Sequence, residues 1–285
     1  RKGMYVLYCV GELESMANQL RLDTLEAVYH AKTGHIGGCL SAAELIAVLY
    51  FSVMKVDPER PDWDDRDRFV LSKGHSAPVL YAALARRGFF PMDELRRLRQ
   101  ADSFLQGAPN PKTPGVDMSS GPLGQGLSAA VGMALAARLK KKNFKVYCML
   151  GDGEIQEGQV WEAAMMAAKY ELSGLVAILD HNKVQMSGTN DEMMPLGDVS
   201  AKFVSFGWEV KRIDGHSIPQ IEQALREVAG DEKLKKPVMI LADTIKGKGV
   251  SFMEGKAAWH GAVPSEEQYE SAKNELEGHF SHSVQ

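Results

Sequence analysis

The chain has 285 residues, a length that suits one large or two small domains, and its 45% hydrophobic and 25% charged residues exclude a disordered or fibrous protein. Lys plus Arg number 33 against 37 Asp plus Glu, a net charge of −4 without any long run of one sign, which argues against a general nucleic-acid or anionic-membrane surface. Cys9, Cys39 and Cys148 show no CxxC spacing, so neither a disulfide framework nor a zinc ribbon is supported, and a reducing compartment is expected.

Residues 1–14 read as an extension ahead of the fold. The chain start carries no small-residue cleavage site, and the longest apolar-rich stretch, Leu127 to Leu139, falls short of the ~20 residues a membrane span needs. A cytoplasmic protein without a membrane partner is the expectation. Ser41 and Glu44 have the S-x-x-E form of a capping box, and apolar residues from Leu45 to Val53 recur at helical spacing, predicting a helix over 42–54. Arg68 to Leu71 reads as a short strand, and Ser72-Lys73-Gly74-His75 as a loop leading into a helix through Tyr81 and Leu84. Gly107 to Gly126 is dense in Gly, Pro and polar turn-formers, long for a mere connection, before Leu127 opens a small-residue helix. Then strands at 145–150, 175–179, 208–213 and 237–242 alternate with helices at 160–170 and 218–228. That alternation predicts an α/β fold, a three-layer α/β/α domain over 1–285 with a mainly parallel sheet. Residues 265–285 read as a solvated helical tail that frays.

In open α/β sheets ligands sit beyond the carboxyl ends of the strands. Asp152 follows one central strand and Asn182 the next, one βαβ unit later, so both reach the same sheet edge. Their oxygens, with a backbone carbonyl such as that of Val184, are hard ligands suited to Mg²⁺ or Ca²⁺ rather than Zn²⁺. Gly151 and Gly153 let backbone approach a phosphate. The ordinary alternative is a turn at Asp152-Gly153 and a cap at Asn182. A dinucleotide site is disfavoured: Gly151 to Gln156 lacks the third glycine of G-x-G-x-x-G, and Gly124 to Ala129 follows a loop rather than a strand.

Thr33-Gly34-His35-Ile36-Gly37-Gly38, Leu71 to His75, Gly121-Pro122-Leu123-Gly124-Gln125-Gly126, Gly151-Asp152-Gly153 with Asn182, and Trp259-His260-Gly261 occur in this order. Together they make the chain resemble the N-terminal half of transketolases, from about Ser15 to Ser271, and most closely split transketolases whose thiamine diphosphate-binding and pyrimidine-binding halves are separate polypeptides. The resemblance implies a thiamine diphosphate-binding domain of the PP type and transfer of a two-carbon glycolaldehyde unit from a ketose phosphate to an aldose phosphate. It implies that Asp152, Asn182 and the Val184 carbonyl ligate Mg²⁺, with Ca²⁺ or Mn²⁺ able to substitute, and that the Gly153 amide meets the diphosphate. His75, Lys246 and His260 would lie at the cofactor, with Gly121, Pro122 and Leu123 along its pyrimidine and thiazolium rings. His35 and His260 would contact the sugar and move protons, and Glu157, with Glu162, would be buried at the subunit contact linking two cofactors. It further implies that the chain works only with a C-terminal, pyrimidine-domain partner that supplies an activating glutamate, in an α2β2 assembly.

Each residue also has an ordinary reading: a histidine in a Gly-rich loop is commonly a hydrogen-bonded turn residue, Lys246 a solvated loop lysine, and Glu162 a helix-surface residue. One position departs from the pattern. Where many transketolases carry a histidine in a Gly-His-Pro segment, this chain has Gly107-Ala108-Pro109. Ala108 cannot donate a hydrogen bond, so a donor other than xylulose 5-phosphate, or a non-catalytic paralogue, stays open. A deoxyxylulose-phosphate synthase or dihydroxyacetone synthase would share the Asp152 to Asn182 signature, whereas the wording at 71–75 and 121–126 favours transketolase.

Overall fold

The computed structural model describes residues 8–231 and 233–280. Five strands, β1 (Arg68–Leu71), β2 (Val146–Gly151), β3 (Leu175–His181), β4 (Glu209–Asp214) and β5 (Val238–Asp243), form one wholly parallel sheet in the order β1-β2-β3-β5-β4. The apolar runs expected as strands are these strands, β1 at its expected bounds and the others with ends within two residues of those expected. Burial on both faces explains why β2, β3 and β5 read as continuous apolar runs rather than alternating ones.

Successive side chains of a strand point to opposite faces. Phe69, Tyr147, Met149, Val176, Ile178, Val238 and Ile240 therefore enter one core. There they meet α1 (Val10–Ala31), α2 (Ile36–Ser41), α3 (Ala43–Val48), α4 (Ala77–Arg87), α9 (Ile218–Gly230) and α10 (Glu266–Phe280). Val70, Val146, Cys148, Leu150, Ala177, Leu179, Met239 and Leu241 enter the other, against α5 (Gln125–Leu139), α6 (Gly158–Lys169) and α8 (Val199–Ser205). The three-layer expectation is met.

Four local expectations are corrected. The helix expected over 42–54 is one short helix, α3, running into a π-helical turn at Leu49–Val53, and α2 ends just before it at Ser41. Ser41 and Glu44 form no capping box: the Ser41 hydroxyl donates to Asp180 Oδ2 at 2.7 Å, and Glu44 is buried in an ion pair with Arg21 at 2.6 Å. Residues 10–14 are the first turns of α1 rather than an extension, while residues 1–7 lie outside the described residues. Residues 266–280 are not a solvated tail. Ala272 and Leu276 are fully buried, Tyr269 stacks on Tyr29 with ring centroids 4.1 Å apart, and Asn18 Nδ2 donates to the Leu276 carbonyl at 2.7 Å. Residues 281–285 lie outside the described residues.

Candidate active site

The loops at the carboxyl ends of β1, β2, β3 and β5 carry most of the residues singled out from the sequence, with His35 ahead of α2 and Gly121, Pro122 and Leu123 ahead of α5 among the others. After β2, Asp152 is buried, its Oδ1 accepting from Gly153 N at 2.8 Å and its Oδ2 from Lys183 N at 2.5 Å and Asn190 Nδ2 at 3.0 Å. The Gly153 amide, expected to face a diphosphate, is thus held by its neighbour's carboxylate. Burial raises the Asp152 pKa against the hydrogen bonds from Asn190 and the two amides, and the Asp180 charge adds to the rise. After β3, Asn182 Oδ1 accepts from Val184 N at 3.2 Å, and Lys183 turns the chain with φ of 67°. A short antiparallel bridge between Val184 and Thr189 closes this turn, and the capping box of Thr189 with Glu192 opens α7 (Asn190–Met193), which delivers Asn190 to Asp152.

Asp152, Asn182 and the Val184 carbonyl therefore gather around one turn. The carbonyl accepts from Lys246 Nζ at 2.9 Å, so this oxygen faces a position that already takes positive charge. Among the described residues no cluster of three or more His, Cys, Asp or Glu could hold a metal. One carboxylate, one amide oxygen and one carbonyl make a partial shell of hard oxygens, which fits a Mg²⁺ completed by phosphate and water.

Three imidazoles stand together beside it. Ring centroids are 5.4 Å apart for His35 and His75, 5.4 Å for His35 and His260, and 5.1 Å for His75 and His260. His35 is the residue just before α2, His75 lies in the turn between β1 and α4, and His260 follows Trp259. Gly37 permits this approach: a Cβ there would lie 2.7 Å from the Trp259 carbonyl. Lys246 Nζ donates to His260 Nδ1 at 2.8 Å, which leaves the hydrogen of a neutral ring on Nε2.

Burial and then the Lys73 ammonium push His75 down to about 2, and burial and then Lys246 push His260 down to about 4. His35 is lowered by burial, Arg99 and Lys246. All three rings are neutral at pH 7, each with one nitrogen to donate and one to accept. Burial lowers Lys246 to about 8, with Asp152 opposing and Lys73 assisting. Buried ammonium groups among neutral imidazoles favour an anionic ligand.

Gly121, Pro122 and Leu123 precede α5 on the same edge, half-buried or exposed, and Ala108 borders Gly121. Tyr81 Oη lies 3.0 Å from the carbonyls of Gln106 and Ala108 and fixes that loop. Glu157 is not brought to the imidazoles. It precedes α6 and is exposed, as is Glu162, so the burial expected of both is not provided by this chain.

Four buried polar residues that sequence reasoning missed hold the edge together. Glu154 Oε1 accepts from Gly124 N at 2.9 Å and from the Ser72 hydroxyl, and its Oε2 accepts from Gly151 N at 2.9 Å, tying three loops. Lys73 donates to Asp180 Oδ2 at 2.5 Å and to the Gly38 carbonyl at 2.7 Å, and Asn190 orients Asp152. Asp180 and Glu154 lie within two residues of a Gly or Asn of the quoted motifs, the one sequence signal that could have drawn attention to them.

Residues 13–283 match the family described as "Transketolase, thiamine diphosphate binding domain". The chain is similar to the 6-deoxy-6-sulfo-D-fructose transketolase subunit SqwG of Clostridium sp. (strain MSTE9), 46% identical over 267 residues that cover 93% of this chain and 96% of that protein. It is also similar to an apulose-4-phosphate transketolase subunit of Phocaeicola vulgatus, at 44% identity over 265 residues and 93% of each chain. Among solved structures, transketolase from Campylobacter jejuni superposes with a TM-score of 0.87 at 34% identity, covering 93% of this chain and 42% of that one. The chain thus spans about two fifths of the length of that solved transketolase.

Proposed function

The chain belongs to the transketolase family through its thiamine diphosphate-binding domain, and on that premise we propose that it is one subunit of a two-chain transketolase that moves a two-carbon glycolaldehyde unit from a ketose phosphate to an aldose phosphate. The observation that carries this reading is the convergence, at one sheet edge, of a hard-oxygen set from Asp152, Asn182 and Val184 with three neutral imidazoles and the Lys246 ammonium.

Asp152, Asn182 and the Val184 carbonyl would hold Mg²⁺, and Lys246, His75 and His260 would hold the diphosphate side of the cofactor. The bound cofactor supplies the electron sink for carbon–carbon cleavage. Neutral His35 and His260 accept and donate at sugar hydroxyl and carbonyl oxygens, His260 donating from Nε2 because Lys246 occupies Nδ1. Gly121, Pro122 and Leu123 line the ring end of the cofactor. Glu157 takes its role only against a partner chain, which suits its exposure here.

That two relatives of similar length are named as subunits supports a partner chain; the proposed partner is a pyrimidine-domain chain in an α2β2 assembly. They are named for different sugars at nearly equal identity, so overall similarity does not select the donor. Ala108, whose side chain brings no hydrogen bond to the loop beside Gly121, favours a donor other than xylulose 5-phosphate. A cytoplasmic location is consistent with three unpaired cysteines, and among the described residues no helix is long and apolar enough to cross a membrane.

The test combines the purified chain with a pyrimidine-domain homologue and titrates thiamine diphosphate calorimetrically with and without Mg²⁺, alongside a ketose-phosphate turnover assay. Mg²⁺-dependent binding and turnover only in the mixture are expected. Turnover by the chain alone would overturn the partner requirement, and absence of Mg²⁺-dependent binding in the mixture would favour a non-catalytic paralogue.

A further inference from the structure

We propose that Asp180 is the positioning residue on which the candidate cofactor edge is assembled. Resting on the functional reading above, the proposal assigns a role to a residue that touches neither metal nor sugar in that reading. Asp180 is the second-last residue of β3, the middle strand of the sheet, and is wholly buried. Its Oδ2 accepts from Ser41 Oγ at 2.7 Å, Lys73 Nζ at 2.5 Å and Asn182 Nδ2 at 3.1 Å, and its Oδ1 accepts from Thr244 Oγ1 at 2.5 Å.

Each donor belongs to a different segment, and each segment carries a site group. Ser41 ends α2, whose start is set by His35, and Lys73 precedes His75 by two residues. Asn182 is itself an oxygen donor of the metal set, and Thr244 precedes Lys246. One carboxylate thus sets the relative position of all four.

Three donors converge on Oδ2 and Thr244 takes Oδ1, so the Asp180 carboxylate is engaged by the fold itself. A buried ion pair alone would require only Lys73; the three neutral donors are surplus to charge balance. The bond to Asn182 Nδ2 also decides which end of that amide is oxygen. Asn182 Oδ1 is thereby kept on the side of Val184 and Asp152, in the way that outer hydrogen bonds orient metal ligands.

The experiment compares wild type, Asp180→Asn, Thr244→Val and the double variant Lys73→Met/Asp180→Asn. Melting temperature and hydrogen–deuterium exchange are read on the full chain, and Mg²⁺-dependent thiamine diphosphate affinity on the chain assembled with its partner. Asp180→Asn is expected to lose affinity by about tenfold or more, the range seen when outer partners of metal ligands are removed. It is also expected to raise exchange together in 36–41, 72–76, 182–186 and 244–248. The double variant, freed of an uncompensated buried ammonium, regains melting temperature but not affinity. Thr244→Val, which keeps the ion pair, raises exchange at 244–248 alone and weakens affinity less.

Affinity that returns with melting temperature in the double variant would overturn the proposal, leaving Asp180 as half of an ion pair. Exchange confined to β3 and the Lys73 loop would overturn it equally. Should the wild-type assembly bind no thiamine diphosphate, the functional reading fails and the exchange pattern alone decides whether Asp180 assembles the edge.

Discussion

Gly126 and Gly132 lie six residues apart in α5, and the same substitution should move stability in opposite directions at the two sites. A Cβ on Gly126 would sit 2.4 Å from Ser72 Oγ, 2.5 Å from Ser72 Cβ and 2.7 Å from Ser72 Cα. Carbon atoms rest at roughly 3.5–4.0 Å, so α5 must retreat about 1 Å from the end of β1. Overpacking of this kind costs about 2–3 kcal/mol when the obstacle is backbone. Alanine returns ~1 kcal/mol of helix propensity, so Gly126→Ala should lose about 1–2 kcal/mol net. At Gly132 nothing lies within 4 Å of the added methyl and the residue is exposed, so only the propensity gain remains. Gly132→Ala should gain ~1 kcal/mol. Urea denaturation of the chain measures both, with the two variants separated by about 2–3 kcal/mol. A Gly126→Ala chain as stable as wild type, or a pair of variants shifted alike, would refute the claim that α5 rests on the Ser72 backbone.

Glu154→Gln keeps one acceptor oxygen but turns an amide NH₂ toward one of the three donors, and should cost about 1.5–3 kcal/mol; an unchanged urea midpoint would show that the three loops do not depend on this carboxylate. Leu276→Ala, deleting a fully buried side chain of α10, should cost about 2–5 kcal/mol, whereas a frayed tail would register almost nothing in the same measurement. Burial raises the Asp243 pKa, but the Arg212 hydrogen bond and charge, with His181 and Lys183, hold it at about 2. Its contribution is complete above the unfolded carboxylate range near ~3.9 and drains as pH falls toward 2, so acid melting curves should flatten in Asp243→Asn over that window and coincide with wild type in slope above it.

The strands were legible because both faces of β2, β3 and β5 are buried, which leaves uninterrupted apolar runs. α1 was not, because its core-facing positions include Asn18, Arg21, Asp23 and Thr24. Three of these are buried against partners far away in sequence: Arg21 against Glu44, Asp23 against Arg86 at 2.7 Å, and Asn18 against α10. An inward stripe that interleaves these polar residues with Leu13, Ala17, Leu20, Leu25 and Val28 blurs the apolar period. The same physics misplaced the capping box, since Ser41 and Glu44 have the right spacing but each finds a stronger partner across the core. In the site, the motif residues His35, Asp152, Asn182 and His260 could be read as a set, and the structure gathers them. Lys73, Glu154 and Asp180 could not, because a buried carboxylate serving several loops leaves no spacing rule along the chain. Glu157 and Glu162 are exposed at the start of α6, and among the described residues the structure gives neither side chain a partner.

The donors on Asp180 from Thr244, Lys73 and Ser41 lie 64, 107 and 139 residues away along the chain. Contacts of such separation carry a loop-closure cost that pairing of the intervening strands lowers. The cluster is therefore expected to form late, and Thr244→Val should speed unfolding while leaving the folding rate near that of wild type; slowed folding in stopped-flow would place the cluster in the nucleus. The four loops that hold the candidate site would thus behave as a clasp on the sheet, and the lifetime of the native fold and the integrity of its cofactor edge would be set by the same carboxylate.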